Sequence, residues 1–305
     1  MSALNNEVKA PPVATTLISR TNALIFGAIL AAFLVVGTFF DLQISTALFD
    51  SSSAFGIFFA AYGEMPAGLA LVVAGVLLIK FRNRASVGKA IGQIIGAVLL
   101  LALGAMILTF MPTLYLNTSP AILAAIGLAI GGLTTWGVLR LSSAADRRVA
   151  IRVAVVLLVV VIAEMILINL IKIGWQRPRM RLLEENSSVL FSPWYSPGNP
   201  AKAELMAQGI SSEEFKSFPS GHVGNASTMI LLTVLIPLRM SLARFAPLFF
   251  WFGALWAGLV ALSRVIVGAH FVSDTVIGAT VTLVVILLAY RIAFSQKFLG
   301  RVHEV

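Results

Sequence analysis

The chain has 305 residues, of which 59% are hydrophobic and 11% charged, and its mean hydropathy is +0.95. Soluble globular domains carry about a quarter charged residues, so this is the composition of a polytopic membrane protein. There is no cysteine, which excludes disulfides, thiolate nucleophiles and Cys-ligated metals, and the net charge of +9 has to be weighed against topology before it suggests nucleic acid.

Residues 1–22 are polar, include Pro11-Pro12, and are expected to form a cytoplasmic tail. Eight apolar segments then follow, near 23–41, 65–81, 90–111, 120–141, 150–172, 222–240, 246–265 and 274–294. Each approaches the roughly 20 residues that an α-helical span requires. The first is too long for a signal peptide and lacks a small-residue cleavage site, so it reads as a retained helix. Between it and the second, residues 41–64 have mixed character and read as an interfacial amphipathic segment. Gly127 and Gly131 form a GxxxG pair in the fourth span, a pattern that favours close helix packing. One long extramembrane loop, about 173–219, is rich in turn residues, and in it Ser211 and Glu214 have capping-box spacing. Residues 296–305 form a second cytoplasmic tail containing His303, which is assigned no role. The expected fold is therefore all-α, a transmembrane helical bundle of about eight spans over residues 23–295.

Lys and Arg placement sets the orientation. With the N-terminus cytoplasmic, fifteen of the 22 basic residues fall inside and seven outside. The basic excess is thus a topology signal rather than a nucleic-acid footprint. The seven outside cations are Lys172, Arg177, Arg179, Arg181, Lys202, Lys216 and Arg264.

Three clusters stand on that outer face: "KIGWQRPRM" from Lys172, "PSGH" from Pro219, and "SRVIVGAHFVSD" from Ser263. Several fixed cations at one boundary make an anion site, and Arg suits the multi-oxygen geometry of phosphate. Pro219 ends what precedes it, so Ser220 and Gly221 open a helix whose free N–H groups can cradle phosphate. His270 and Asp274 are four residues apart, on one helical face. A carboxylate beside one imidazole nitrogen leaves the other as a nucleophile, and His222 is then the general acid. The chemistry implied is phosphoryl transfer through a phosphohistidine, with the cations stabilising charge on the transferring group. Two histidines and an aspartate also suggest a metal, but at least four cations around the same point would repel one, so neither metal nor cofactor is expected.

These clusters resemble the signature of the type 2 phosphatidic acid phosphatase superfamily: Lys-x6-Arg-Pro, Pro-Ser-Gly-His, and Ser-Arg-x5-His-x3-Asp. Lys172 and Arg179 match the first, Pro219 to His222 the second, and Ser263, Arg264, His270 and Asp274 the third. The resemblance implies that His270 is the nucleophile, Asp274 its partner, and His222 the acid that later activates water. It also implies that Lys172, Arg179, Arg264, Ser220 and Gly221 hold the phosphate. One departure concerns the first motif, where Met180 stands in place of the Pro and a proline occurs instead at Pro178. Arg179 has the right spacing, and Arg177 is then an additional candidate phosphate cation. The resemblance covers roughly 150–295, and family cores have about six spans, so residues 90–141 would be an extra helix pair.

The implied substrate is a lipid phosphate or pyrophosphate, of the polyprenyl pyrophosphate, phosphatidylglycerol phosphate or phosphatidic acid type. Membrane lipids would be further partners and nucleic acid would not, and the site would face outward from the cytoplasmic membrane. The alternatives are a phosphotransferase using the same site and, more remotely, an anion channel or transporter. Among the other polar residues, Glu164 is expected to make an interhelical hydrogen bond or tune the site above it. Asp41 and Glu64 are expected to cap helices, Trp194 and Tyr195 to anchor the loop at the headgroups, and Lys216 to lie near the pocket.

Overall fold

The computed structural model describes residues 17–294 and contains no strand among them. The expected tail therefore lies largely outside the described residues, as do the C-terminal tail and His303. Helix α1 runs Arg20–Leu48, α2 Ala54–Tyr62, α3 Met65–Lys80, α4 Val87–Phe110 and α5 Pro120–Leu141. Helix α6 runs Arg147–Trp175, and the short helices α7 (Met180–Glu185) and α8 (Lys202–Ala207) lie in the long loop. Helix α9 is Gly221–Ser227, α10 Ala246–Ile266 and α11 Val272–Ala293. Among the described residues eight helical segments are long and apolar enough to cross a membrane. This is a polytopic helical bundle.

Two of the sequence expectations need correction. Residues 41–64 are not an interfacial segment: α1 continues to Leu48, and α2 runs into α3 as one segment, Ala54–Lys80, broken only at Gly63-Glu64. Phe59, Ala60 and Ala61 are buried, and α2 packs on α10, so apolar packing outweighs the serines at its entrance. Pro66, near the start of α3, has no N–H to continue the preceding helix, which accounts for the break.

The sixth span is the second correction. It is α-helical only over α9 and continues as a 3₁₀ helix, Thr228–Leu238. Thr228 and Thr233 donate their hydroxyls to carbonyls three residues back, and Pro237 removes a donor near the end. A 3₁₀ helix rises about 2.0 Å per residue against about 1.5 Å for an α-helix. Stretching the chain in this way lets an 18-residue segment cover roughly 30 Å, a full hydrocarbon thickness.

The core lies where α3, α6, α10, α11 and the Thr228–Leu238 helix meet, packed from residues such as Leu77, Val153, Val160, Ile230, Phe250 and Ile286. Helices α4 and α5 sit at the periphery, with few buried residues. A Cβ at Gly127 would fall 2.4 Å from the Leu108 carbonyl oxygen, so the GxxxG glycine serves the α4–α5 packing it was expected to serve. Their apolar outer faces suit a bilayer, where every backbone polar group is satisfied within the helix itself.

Candidate active site

Helix α6 delivers Lys172 on its last turn and stops at Trp175, where Gln176 takes a left-handed C-cap conformation (φ 52°) and donates its N–H to the Lys172 carbonyl. Pro178 then keeps the chain extended. Lys172 and Arg179 therefore meet through a turn, not along a continuing helix. They lie within electrostatic reach of each other.

That turn drives Arg177 inward. Its side chain is fully buried, and every guanidinium nitrogen is used. Nε donates to Ser192 O at 2.7 Å, Nη1 to Ser273 Oγ at 2.9 Å and Asp274 Oδ1 at 2.5 Å, and Nη2 to Asp41 Oδ2 at 3.0 Å. The Phe271 and Phe191 rings, packed edge to face on each other, lie 4.2 and 5.3 Å from its Cζ. Arg177 thus spends four of its five N–H donors on protein acceptors in a fully buried network, an anchoring role where the sequence had allowed a phosphate contact. Asp41, expected to cap a helix, accepts the Ser273 N–H on the first turn of α11 from its place on α1. It is buried and also accepts from Arg177 and from the Ser273 hydroxyl.

His270 sits in the turn between α10 and α11, whose backbone folds back through the Ala269 and His270 N–H groups onto Arg264 O. The imidazole is 2% exposed. Its Nδ1 lies 2.5 Å from the Ser217 carbonyl oxygen, an acceptor, so Nδ1 carries the proton and Nε2 keeps a lone pair. The expected direct hydrogen bond from the imidazole to Asp274 is absent, since Asp274 Oδ2 is 3.9 Å from Nδ1. That oxygen accepts instead from Ser217 Oγ at 2.5 Å and from the Phe271 N–H at 2.8 Å. Asp274 reaches the imidazole through the Ser217 segment. Burial, helped by the nearby Lys172 and Arg179 charges, holds His270 well below the usual histidine range despite the opposing pull of Asp274.

His222 is on the first turn of α9. A Cβ at Gly278 would fall 2.3 Å from Ser220 O, so this glycine lets α9 dock onto α11. The Ser220 N–H donates to Asp274 O at 2.9 Å and fixes the contact. Ser220 Oγ caps α9 by accepting from the Val223 N–H at 3.4 Å. Its neighbour Gly221 faces Lys172, whose Cε would lie 3.9 Å from a Cβ there.

Two partners of His222 were not foreseen. Glu64 Oε1 lies 3.2 Å from Nδ1, and Tyr115 Oη lies 3.2 Å from Nε2. Glu64 makes no side-chain cap for α3, contrary to expectation. Tyr115 follows the short 3₁₀ turn Met111–Leu114 at the end of α4, so the connection between α4 and α5 touches the site directly. His222 is within electrostatic reach of Arg264, His270, Arg179 and Lys172.

The cations surround the two histidines. Lys172 Nζ donates to Lys216 O at 2.7 Å, and Arg179 donates to Glu213 O at 3.0 Å and Ala269 O at 3.4 Å. Both retain further donors. Arg264 differs: it is 2% exposed, yet its Nε and Nη1 have no hydrogen-bond partner among the described residues. A guanidinium left so in a dry place is costly unless an anion joins it. Lys216 turns its ammonium to Glu213 at 2.5 Å, and Arg181 pairs with Glu214, which takes Glu214 away from the capping-box partnership with Ser211. Ser263 donates its hydroxyl within its own helix, to Val260 O.

Beneath the site Glu164 is buried with Oε1 unpartnered among the described residues, so the expected interhelical bond is not made at that oxygen. Trp194 stacks near Phe218 and donates to Thr38 Oγ1 at 3.0 Å, tying the loop to α1. An apolar groove of about 590 Å³ runs between α1, α10 and α11. Its lining includes Val223, Val265 and Val272, which are close in sequence to His222, Arg264 and His270.

Residues 153–298 match the family model described as the PAP2 superfamily. No curated protein and no solved structure matches the chain. Of the residues that contact His222, Arg177 or Ser273 above, Glu64, Tyr115 and Asp41 lie outside the matched stretch.

Proposed function

The chain belongs to the PAP2 superfamily, whose members act as phosphatases on phosphate esters, and on that premise we propose that it hydrolyses a lipid phosphate or pyrophosphate. The observation that carries the reading is Arg264, a buried guanidinium with free donors beside two histidines, Lys172 and Arg179. A dianionic phosphoryl group supplies the acceptors that Arg264 lacks. The apolar groove supports a lipid substrate, because it offers an alkyl chain a bed that begins next to the residues lining the headgroup pocket.

In the first step His270 Nε2 attacks phosphorus while the bond to the leaving oxygen breaks. His222, protonated, donates its proton to that oxygen as it departs. Arg264, Lys172 and Arg179 hold the equatorial oxygens, where charge is spread in the transition state. In the second step neutral His222 takes a proton from water, the water oxygen bonds to phosphorus, and the P–N bond to His270 breaks to release inorganic phosphate. The Lys and Arg distribution favours a site at the outer face of the cytoplasmic membrane.

The test is phosphate release by detergent-purified protein from a panel of lipid phosphates, lipid pyrophosphates and soluble esters, with and without EDTA. The expected result is hydrolysis of lipid substrates in preference to soluble esters, surviving the chelator. Release of a phosphorylated acceptor in place of inorganic phosphate would make the protein a phosphotransferase.

A further inference from the structure

We propose that Glu64 is the positioning residue of the acid–base histidine: it holds Nδ1–H of His222 so that Nε2 faces the leaving-group oxygen. This rests on the phosphatase reading above and adds a residue outside the segment that matches the family. Glu64 Oε1 stands 3.2 Å from Nδ1. On the other ring nitrogen, the Tyr115 hydroxyl 3.2 Å from Nε2 marks where an oxygen sits opposite the acid, and so where the leaving oxygen would come.

The fold places Glu64 for this. It lies at the break between α2 and α3, where Pro66 follows it and Trp256 Nε1 of α10 donates to the Gly63 carbonyl at 3.3 Å. Its carboxylate makes no cap bond to α3 and is shared between the imidazole and a side-chain hydrogen bond from Asn225.

The electrostatics require such a partner. Lys172 of α6, Arg179 of the following loop, Arg264 of α10 and His270 ahead of α11 all face His222, and Tyr115 adds a neutral hydroxyl. Glu164 of α6 is within electrostatic reach of Glu64. Those positive groups crowd the ring, and the Glu64 carboxylate on Nδ1 is the opposite charge beside it. As the phosphorus–oxygen bond breaks, Nε2 gives its proton to the leaving oxygen while Nδ1–H stays on Glu64. In the second step Nε2 takes a proton from water and the same geometry is restored.

The experiment compares full-length wild type, Glu64→Gln and Glu64→Asp in detergent, on phosphatidic acid in mixed micelles and on p-nitrophenyl phosphate. For Glu64→Gln, kcat on phosphatidic acid should fall about a hundredfold with KM little changed. The pre-steady-state burst of p-nitrophenolate should be kept to within about fivefold, because that leaving group needs no proton. The alkaline limb of the phosphatidic acid profile should move down by about one pH unit, and Glu64→Asp should recover part of the rate. Near wild-type turnover in Glu64→Gln overturns the proposal. So does equal loss of burst and lipid turnover with the limb unmoved. If Glu64→Gln is not monodisperse in detergent, Glu64→Asp decides: a displaced limb supports the proposal, and a wild-type limb overturns it. Wild type inactive on both substrates would remove the phosphatase reading itself, an outcome distinct from an active wild type with an unaffected Glu64→Gln.

Discussion

Arg177 Nη1 donates to Asp274 Oδ1 at 2.5 Å with both side chains fully buried, and the same guanidinium reaches Asp41 on α1 through Nη2. The pairing ties α1 to the start of α11 through the turn after α6. Removing one partner of a buried ion pair leaves the other charge uncompensated, at a cost of about 3–5 kcal/mol. Arg177→Ala should therefore lower thermal stability markedly and lose activity through misplacement of Asp274. Arg179→Ala should keep its melting temperature within a few degrees and lose about a hundredfold in kcat/KM, because the proposed mechanism assigns its donors to the transition state. Calorimetry or dye-based melting beside kinetics separates the two. Equal melting temperatures with Arg177→Ala fully folded would contradict the assignment.

Arg264 gives the opposite signature. Its buried guanidinium stands unpartnered on Nε and Nη1, so Arg264→Ala should leave the empty protein as stable as wild type or more so. Hydrolysis should fall by at least about a hundredfold. Vanadate or inorganic phosphate should raise the wild-type melting temperature and fail to raise that of the variant. A variant that loses stability without anion and gains it normally with anion would show that Arg264 is structural.

His270 bears on pH. Its affinity for a proton is lowered by burial, so the lone pair on Nε2 persists below the usual histidine pKa of about 6.5. The p-nitrophenolate burst rate should accordingly stay flat from about pH 7.5 down to about pH 6. A decline centred near the ordinary histidine value would mean that the nucleophile is not so shielded.

Much of this was legible in the sequence because it is local. Span placement follows from runs of apolar residues, and the three clusters lie within short stretches whose spacing survives into the structure. The buried pairing of Arg177 is not legible locally, because it depends on the left-handed cap at Gln176 and on Asp41, which lies 136 residues earlier. Glu64 and Tyr115 carried no local signal at all: one sits at a helix break, the other after a 3₁₀ turn, and only packing brings them to His222. The 3₁₀ stretch of the sixth span has the same apolar composition as an α-helix, so periodicity alone does not separate them.

The face of the membrane can be tested because the chain has no cysteine. Single cysteines at Asn199, in the long loop, and at Ala145, just before α6, report on opposite ends of the bundle. An impermeant thiol reagent on intact cells should label the first and spare the second. Labelling of Ala145→Cys with none at Asn199→Cys would put the site on the cytoplasmic side.

The most direct test of the central claim is to trap the covalent intermediate. Purified protein mixed with a lipid phosphate labelled in its phosphoryl group, then quenched in alkali, where phosphohistidine survives, should carry label on the peptide that contains His270. His270→Ala should carry none and should release no phosphate. Label on another residue, or full turnover by His270→Ala, would contradict the account.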